Sequence, residues 1–253
     1  MTLREFLGAA EDPDRSLVVL NRTAPNPVQN MLEGLFGEHS IDVSEIELPD
    51  AEADQVLVVE DDQVLASSPL SDLQDAILFI NSDLFITGTR DLEEIELPEA
   101  LEQLDEIPFY LRGYPESNSE KLLLILISRY IERRAWEEGE GTLRTSFQNL
   151  SRIEDEVGTH QVYGRLDESP VDVHVYGMPG WRPDPDSSIT IHAGYSQDFR
   201  ESWFVVYTPP EDRDADSHVA LLALEEAPNE WVGFWTFRQS VVEDLNRYIE
   251  KHL

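Results

Sequence analysis

Apolar positions along this chain recur with two periods, and each period marks a kind of element. An alternation of two, expected of a strand with one face in the core, runs through Val171-Asp172-Val173-His174-Val175-Tyr176 and predicts the clearest strand in the chain. A spacing of three and four, expected of a helix, puts Leu123, Leu126, Ile127, Tyr130 and Ile131 on one side of a long helix over residues 119–138, which Gly139 and Gly141 end. The same spacing sets Val242, Leu245, Tyr248 and Ile249 on the buried side of a last helix over 239–252. It also gives a short first helix with Leu3, Phe6 and Leu7, and a second with Met31, Leu32 and Leu35, opened by Asn26-Pro27 and closed by Gly37.

The remaining patterns fill in the order. Residues 16–20 form a compact apolar run that reads as a buried strand, and 41–46 alternate as a strand with one wet face. Residues 55–59 and 64–66 flank Asp61-Asp62, a hairpin signal. Ser71-Asp72 then caps a short helix with Leu73 and Ile77, and 84–87 read as another strand. Further on, strands are predicted at 142–148, 188–193, 203–207, 219–224 and 231–237, with a helical stretch over 151–166, a turn at 177–180 and a solvated acidic loop at 209–217. Gly113, Pro115 and Asn118 mark a junction. The expected organisation is an N-terminal α/β leader over 1–113 and a second domain over 114–253. Hairpins dominate, so the fold class is α+β, a largely antiparallel sheet flanked by helices. A faint likeness between 55–66 and 203–224 leaves two related lobes open.

Composition changes this picture in two ways. Of 253 residues, 41% are hydrophobic, enough for a sizeable core. Yet 52 are Asp or Glu against 18 Lys or Arg, a net charge of -34, and only Lys121 and Lys251 are lysines. Such a chain repels itself in dilute buffer. At 1 M salt the Debye length is about 3 Å and the repulsion is largely screened. Since the acids are spread along the chain rather than gathered in a tail, the expected setting is the cytosol of a halophilic archaeon. The chain has no cysteine, which excludes disulfides and Cys-ligated metals. Its longest apolar run, Leu122 to Ile127, is far short of the roughly 20 residues a membrane span needs. The N-terminus lacks the apolar stretch of a signal peptide. A cytoplasmic protein without membrane contact is expected.

The usual catalytic motifs are missing. There is no G-x-G-x-x-G, no phosphate-binding loop ending in Lys-Ser or Lys-Thr, and no G-x-S-x-G elbow. Asp/Glu pairs carry no information in so acidic a chain. His174 and His192 fall on consecutive predicted strands and can approach one another, but two strand histidines, hydrogen-bonded or half exposed, are favoured over a metal pair. Arg129, Arg133 and Arg134 alternate with Glu132, Glu137 and Glu138, which reads as pairing on a helix surface, so nucleic-acid binding is not expected. All five tryptophans lie after residue 135. Most of these aromatics suit a core. The sharper reading is a pocket with aromatic walls and polar groups such as Gln148, His174 and Thr236, suited to a planar ligand.

Three segments resemble the DICT domain, a sensory domain found with diguanylate cyclases and two-component systems. They are 128–135 followed by Thr145-Ser146-Phe147-Gln148, then 171–177 with Trp181 shortly after, and Gly233-Phe234-Trp235-Thr236-Phe237 leading into the last helix. The resemblance implies signal input without catalysis, in the manner of a haloarchaeal stand-alone version of the domain. No output domain is visible, so such a sensor must act through partners such as a histidine kinase or another two-component protein. The candidate ligand-binding residues, taken from these segments, are Phe147, Gln148, His174, Tyr176, Trp181 and Trp235. No catalytic or metal-binding residue is expected. No cofactor or ligand is assignable, and a homodimer is left open. The alternatives are an interaction module without a small ligand, and an unrecognised enzyme.

Overall fold

The computed structural model describes residues 2–23, 41–84, 92–112, 120–210 and 217–253. Two mixed sheets carry the fold. In the smaller, β1 (Arg15–Leu20) pairs in parallel with β2 (Asp42–Ile46) and antiparallel with β3 (Gln55–Glu60), which turns back into β4 (Gln63–Pro69). The β3–β4 turn is Asp61-Asp62, at φ 50° and 62°. Both residues of a type I′ hairpin need such left-handed angles, and Asp tolerates them.

The larger sheet has seven strands in the order β5-β11-β10-β9-β6-β7-β8. These are β5 (Phe109–Arg112), β6 (Thr142–Asn149), β7 (Asp172–Met178), β8 (Thr190–Ala193), β9 (Ser202–Thr208), β10 (Val219–Ala227) and β11 (Glu230–Thr236). Pairing is antiparallel from β5 through to β6, whereas β6, β7 and β8 run parallel. The sheet is thus largely antiparallel, within an α+β fold, and β6 is the strand at which its sense changes.

The period-two alternation sorts this sheet's side chains onto two layers. Leu143, Val173, Val175, Val205, Tyr207, Leu221, Ala223 and Trp235 face a core that contains Leu123, Ile127 and Ile131 of α4 (Glu120–Glu138). The same core takes in Leu17, Val19, Val56 and Val58 of the smaller sheet and Leu70, Leu73 and Ile80 of α2 (Leu70–Leu84). On the other face, Tyr176, Phe204, Val206, Ala220, Leu222 and Phe234 meet Val242, Leu245 and Ile249 of α8 (Gln239–His252) and Leu3 and Phe6 of α1 (Leu3–Leu7). One apolar core therefore runs between the two sheets, and a second lies under the last helix.

Several expectations shift. The helix at Ser71-Asp72 begins at Leu70 and runs 15 residues, so Leu84 ends a helix instead of opening a strand. Phe85, Ile86 and Thr87, the helix expected around Met31, and most of the 209–217 loop lie outside the described residues. The helical stretch after β6 divides into α5 (Arg152–Asp155) and α6 (Val157–Asp167) at Glu156, whose backbone is extended. Gly177 and Met178 lengthen β7 instead of turning. α3 (Glu99–Glu102), β5 and α7 (Gln197–Glu201) were not foreseen, being too short to show a period. Among the described residues no helix is long and apolar enough to cross a membrane.

Candidate functional site

The second half of β6 parts from β9. Backbone pairing between them ends at Thr145 and Val205. Beyond that point the Ser146 hydroxyl bridges the gap, donating to the Ser202 carbonyl (3.0 Å) and accepting from the Phe204 N–H (2.8 Å). The β6–β7 ladder then shifts register between Ser146 and Asn149. Within this bulge Gln148 takes a left-handed backbone, φ 53°. Bulges of this kind bend a strand and re-aim its side chains, often beside a site.

Behind the opening lies a cavity of about 330 Å³, at the small end of ligand pockets. Its position follows from the topology. β6, the α5–α6 crossover and β7 form a parallel βαβ unit, and the cavity sits at the carboxyl end of β6, where the sheet changes sense. Open α/β sheets bind ligands at such points. The walls come from α4 (Lys121, Ile125, Ser128, Arg129, Glu132), from residues 145–148 of β6, from Ser202 and Trp203 of β9, and from residues 152 and 155–159 of the crossover.

A chain of polar groups, buried except for Glu156, runs along the cavity. Arg129 and Glu132, 6% and 1% exposed, pair at 2.6 Å. Arg129 also donates to the Thr159 hydroxyl (2.8 Å), which donates in turn to Glu156 (3.1 Å). The Tyr163 hydroxyl donates to the second oxygen of Glu132 (2.9 Å). Burial and the Glu132 charge push this phenol well above its ordinary pKa, so it remains a donor. Aromatic rings adjoin these polar groups. Phe147 stands edge-on to Tyr163 with centroids 5.0 Å apart, and Trp203 stands edge-on to Trp231 while its indole N–H donates to Ser128 (2.9 Å). Acids outnumber bases 52 to 18 over the chain, yet here Lys121, Arg129 and Arg152 balance Glu132, Asp155 and Glu156. A neutral cavity with one flat apolar wall can hold a small organic molecule without first overcoming the protein's own charge.

Of the residues singled out from sequence, Phe147 and Gln148 line this cavity and the other four do not. The Gln148 amide donates to the Arg200 carbonyl and to the Glu225 carboxylate, both at 2.8 Å, and so ties the bulge to α7 and β10. His174 lies two strands from β9, hydrogen-bonded to His192 (2.9 Å) and to Asp172 (3.0 Å). The His192 ring stacks on Tyr176 at 4.3 Å, and burial, then His174 and Arg144, hold its pKa below the ordinary value. The Tyr176 hydroxyl accepts from Arg144 (2.8 Å), which also donates to Asn246 of α8 (2.7 Å). Trp181 is half-buried against the larger core. Trp235 is buried within that core beside Phe109. Among the described residues no cluster of three or more His, Asp or Glu is arranged to hold a metal ion.

Sequence reasoning placed Trp203 and Tyr163 only in the general aromatic cluster, not among the candidate site residues, and missed the Arg129–Glu132 pair. The pair was expected on a helix surface, where Arg133 and Glu137 are indeed found, 2.8 Å apart. α4 instead packs against both the sheet and α6, so the row containing Ser128, Arg129 and Glu132 is covered as well. In a chain this acidic, one more Glu beside an Arg looks like another solvated pair. The available signal was that Arg129 and Glu132 share a helical row with Ile125.

The family model described as a sensory domain in diguanylate cyclases and two-component systems, DICT, matches residues 99–226. That span covers every residue lining the cavity. The chain belongs to the DICT family, and that membership gives it a sensory role in signalling. No curated protein matches the chain. Among solved structures, the polyphosphate kinase from Porphyromonas gingivalis aligns with 98% of this chain and 47% of its own, at 9% identity and a TM-score of 0.36. The present chain therefore spans less than half of that protein, and no shared fold is inferred.

Proposed function

We propose that this protein is a non-catalytic cytoplasmic sensor that binds a small molecule in the cavity between α4, α6 and the parted strands β6 and β9. The carrying observation is the coincidence of that cavity with the bulge at Gln148, at the sheet's change of sense and inside the DICT match. A molecule settling against Phe147 presses on the bulge, and the Gln148 amide passes the displacement to α7 and β10. Such a ligand shifts the protein toward whichever state it binds better. The readers of that state are signalling proteins of the kind that accompany this family, a histidine kinase or another two-component partner. A binding role rather than a catalytic one is supported by how the polar groups are used. Arg129, Glu132 and Tyr163 hold one another, and the tyrosine keeps its proton.

Native mass spectrometry of the protein purified from its own host tests this directly. A retained small molecule is expected, lost in Trp203→Ala and Gln148→Ala and kept in His174→Ala. A parent protein that carries no ligand, with all three variants behaving alike, would instead favour an interaction module.

A further inference from the structure

Three features of the cavity bear on the kind of molecule it holds. α6 is 11 residues long and starts in the cavity wall, with Val157, Gly158 and Thr159 forming its first turn. The first N–H groups of a helix have no partner within it, and no side chain caps this one. Such an end favours an anion. The Thr145 hydroxyl, 2% exposed, also lines the cavity. It lies within reach of the Tyr163 oxygen, which could accept its proton, but makes no well-formed hydrogen bond there. Finally, Lys121, one of two lysines in the chain, lines the cavity and is ion-paired with no described residue. The cavity's acids equal its bases in number but leave Lys121 without an ion-pair partner among the described residues. Glu132 is taken by Arg129 and Tyr163, Glu156 by Thr159 and, at 3.9 Å, by Arg152, and Asp155 is exposed at the rim.

We infer that the cavity takes a small molecule with a flat apolar body and one anionic group, the anion meeting Lys121 and the first turn of α6, the body lying against Trp203 and Phe147. This rests on the cavity being the sensor's ligand site. Three probes that share one ring and differ in charge test it: indole-3-acetate, indole-3-acetamide and tryptamine, titrated calorimetrically into the full chain in KCl sufficient to keep it folded. The acetate should bind about tenfold tighter than the amide, equivalent to about 1.4 kcal/mol, and tryptamine should bind most weakly. Lys121→Gln should bring the acetate down to the level of the amide, whereas Lys121→Arg should keep the preference. Lys121 is half-buried near a helix end, and melting temperatures will show that both variants stay folded. Equal or tighter binding of the amide or of tryptamine would overturn the charge assignment while leaving the cavity as a site for flat molecules. Failure of all three probes would also overturn it, and a ligand retained from the host would then leave the sensor reading standing.

Discussion

Single residues decide where the cavity's polar wall is rigid. Tyr163 is fully buried and supplies one of the donors to a carboxylate that is buried too. Tyr163→Phe keeps the ring against Phe147 but removes that donor, and an underserved buried acceptor costs about 1–3 kcal/mol. Denaturant unfolding should show a loss of that order, while a change within error would mean that water replaces the phenol. His192 makes a separate prediction with a definite sign. Burial, His174 and Arg144 all disfavour its charged form in the fold, and the unfolded chain takes up the proton near pH 6.5. Stability should therefore be untouched above about pH 6.5 and fall as pH drops toward the depressed folded value, because there the unfolded state binds more protons. Melting curves between pH 8 and pH 5 should fall less steeply for His192→Gln than for the parent, and parallel curves would exclude His192 as a contributor. At this scale the sequence was only partly legible. Phe147 and Gln148 could be picked out because they lie at a predicted strand's end within a segment that resembles the DICT domain. His174 and Tyr176 belong to the same family segments, yet the alternation of β7 carries them to a different place, against β8 and α8.

Elements were the most legible level wherever a period had room to show itself. The 14 residues of α8 bury Val242, Leu245, Tyr248 and Ile249, as their spacing predicts. Leu245→Ala should then cost about 2–5 kcal/mol in denaturant unfolding, and a loss within error would mean that the helix is peripheral to the sheet. β11 shows what periodicity alone does not reveal. Gly233 sits mid-strand, where glycine ordinarily weakens pairing. A Cβ there would lie 2.7 Å from both the Ala223 Cβ and the Phe109 ring, and closer still to the Leu222 carbonyl oxygen. β5 and β10 approach β11 at this point from its two sides, with Gly233 opposite Phe109 on one and Ala223 on the other. Gly233→Ala should therefore destabilise by about 1–3 kcal/mol through overpacking. Hydrogen exchange should show protection lost first along β5. β5 itself could not be read from sequence. It is 4 residues long, and its partner β11 lies more than a hundred residues away.

At the scale of the whole molecule, composition was the most legible feature, and the structure shows where the scarce basic residues are spent. Arg15 joins β1 to Glu60 and Asp105, and Arg144 joins β6 to α8. Arg238 donates to Ala9 and pairs with Glu11 and with Glu106, so that residues near the start of the chain are fastened to the N-terminal end of α8. Burial raises the pKa of Glu106, while Thr236 and Arg238 pull it back. With only 18 basic residues against 52 acids, most surface acids have no positive charge to offset them. Their mutual repulsion favours an expanded chain and has to be screened by the solvent. The melting temperature should consequently climb steeply as KCl rises from about 0.1 M to 1 M, where the Debye length shrinks from about 10 Å to about 3 Å, and more gently toward 3 M. Sucrose, which is excluded from the surface but screens nothing, should give a smaller rise without the steep early phase. If the melting temperature were flat or falling with KCl, or if sucrose reproduced the whole curve, the acid excess would have some purpose other than folding in concentrated salt.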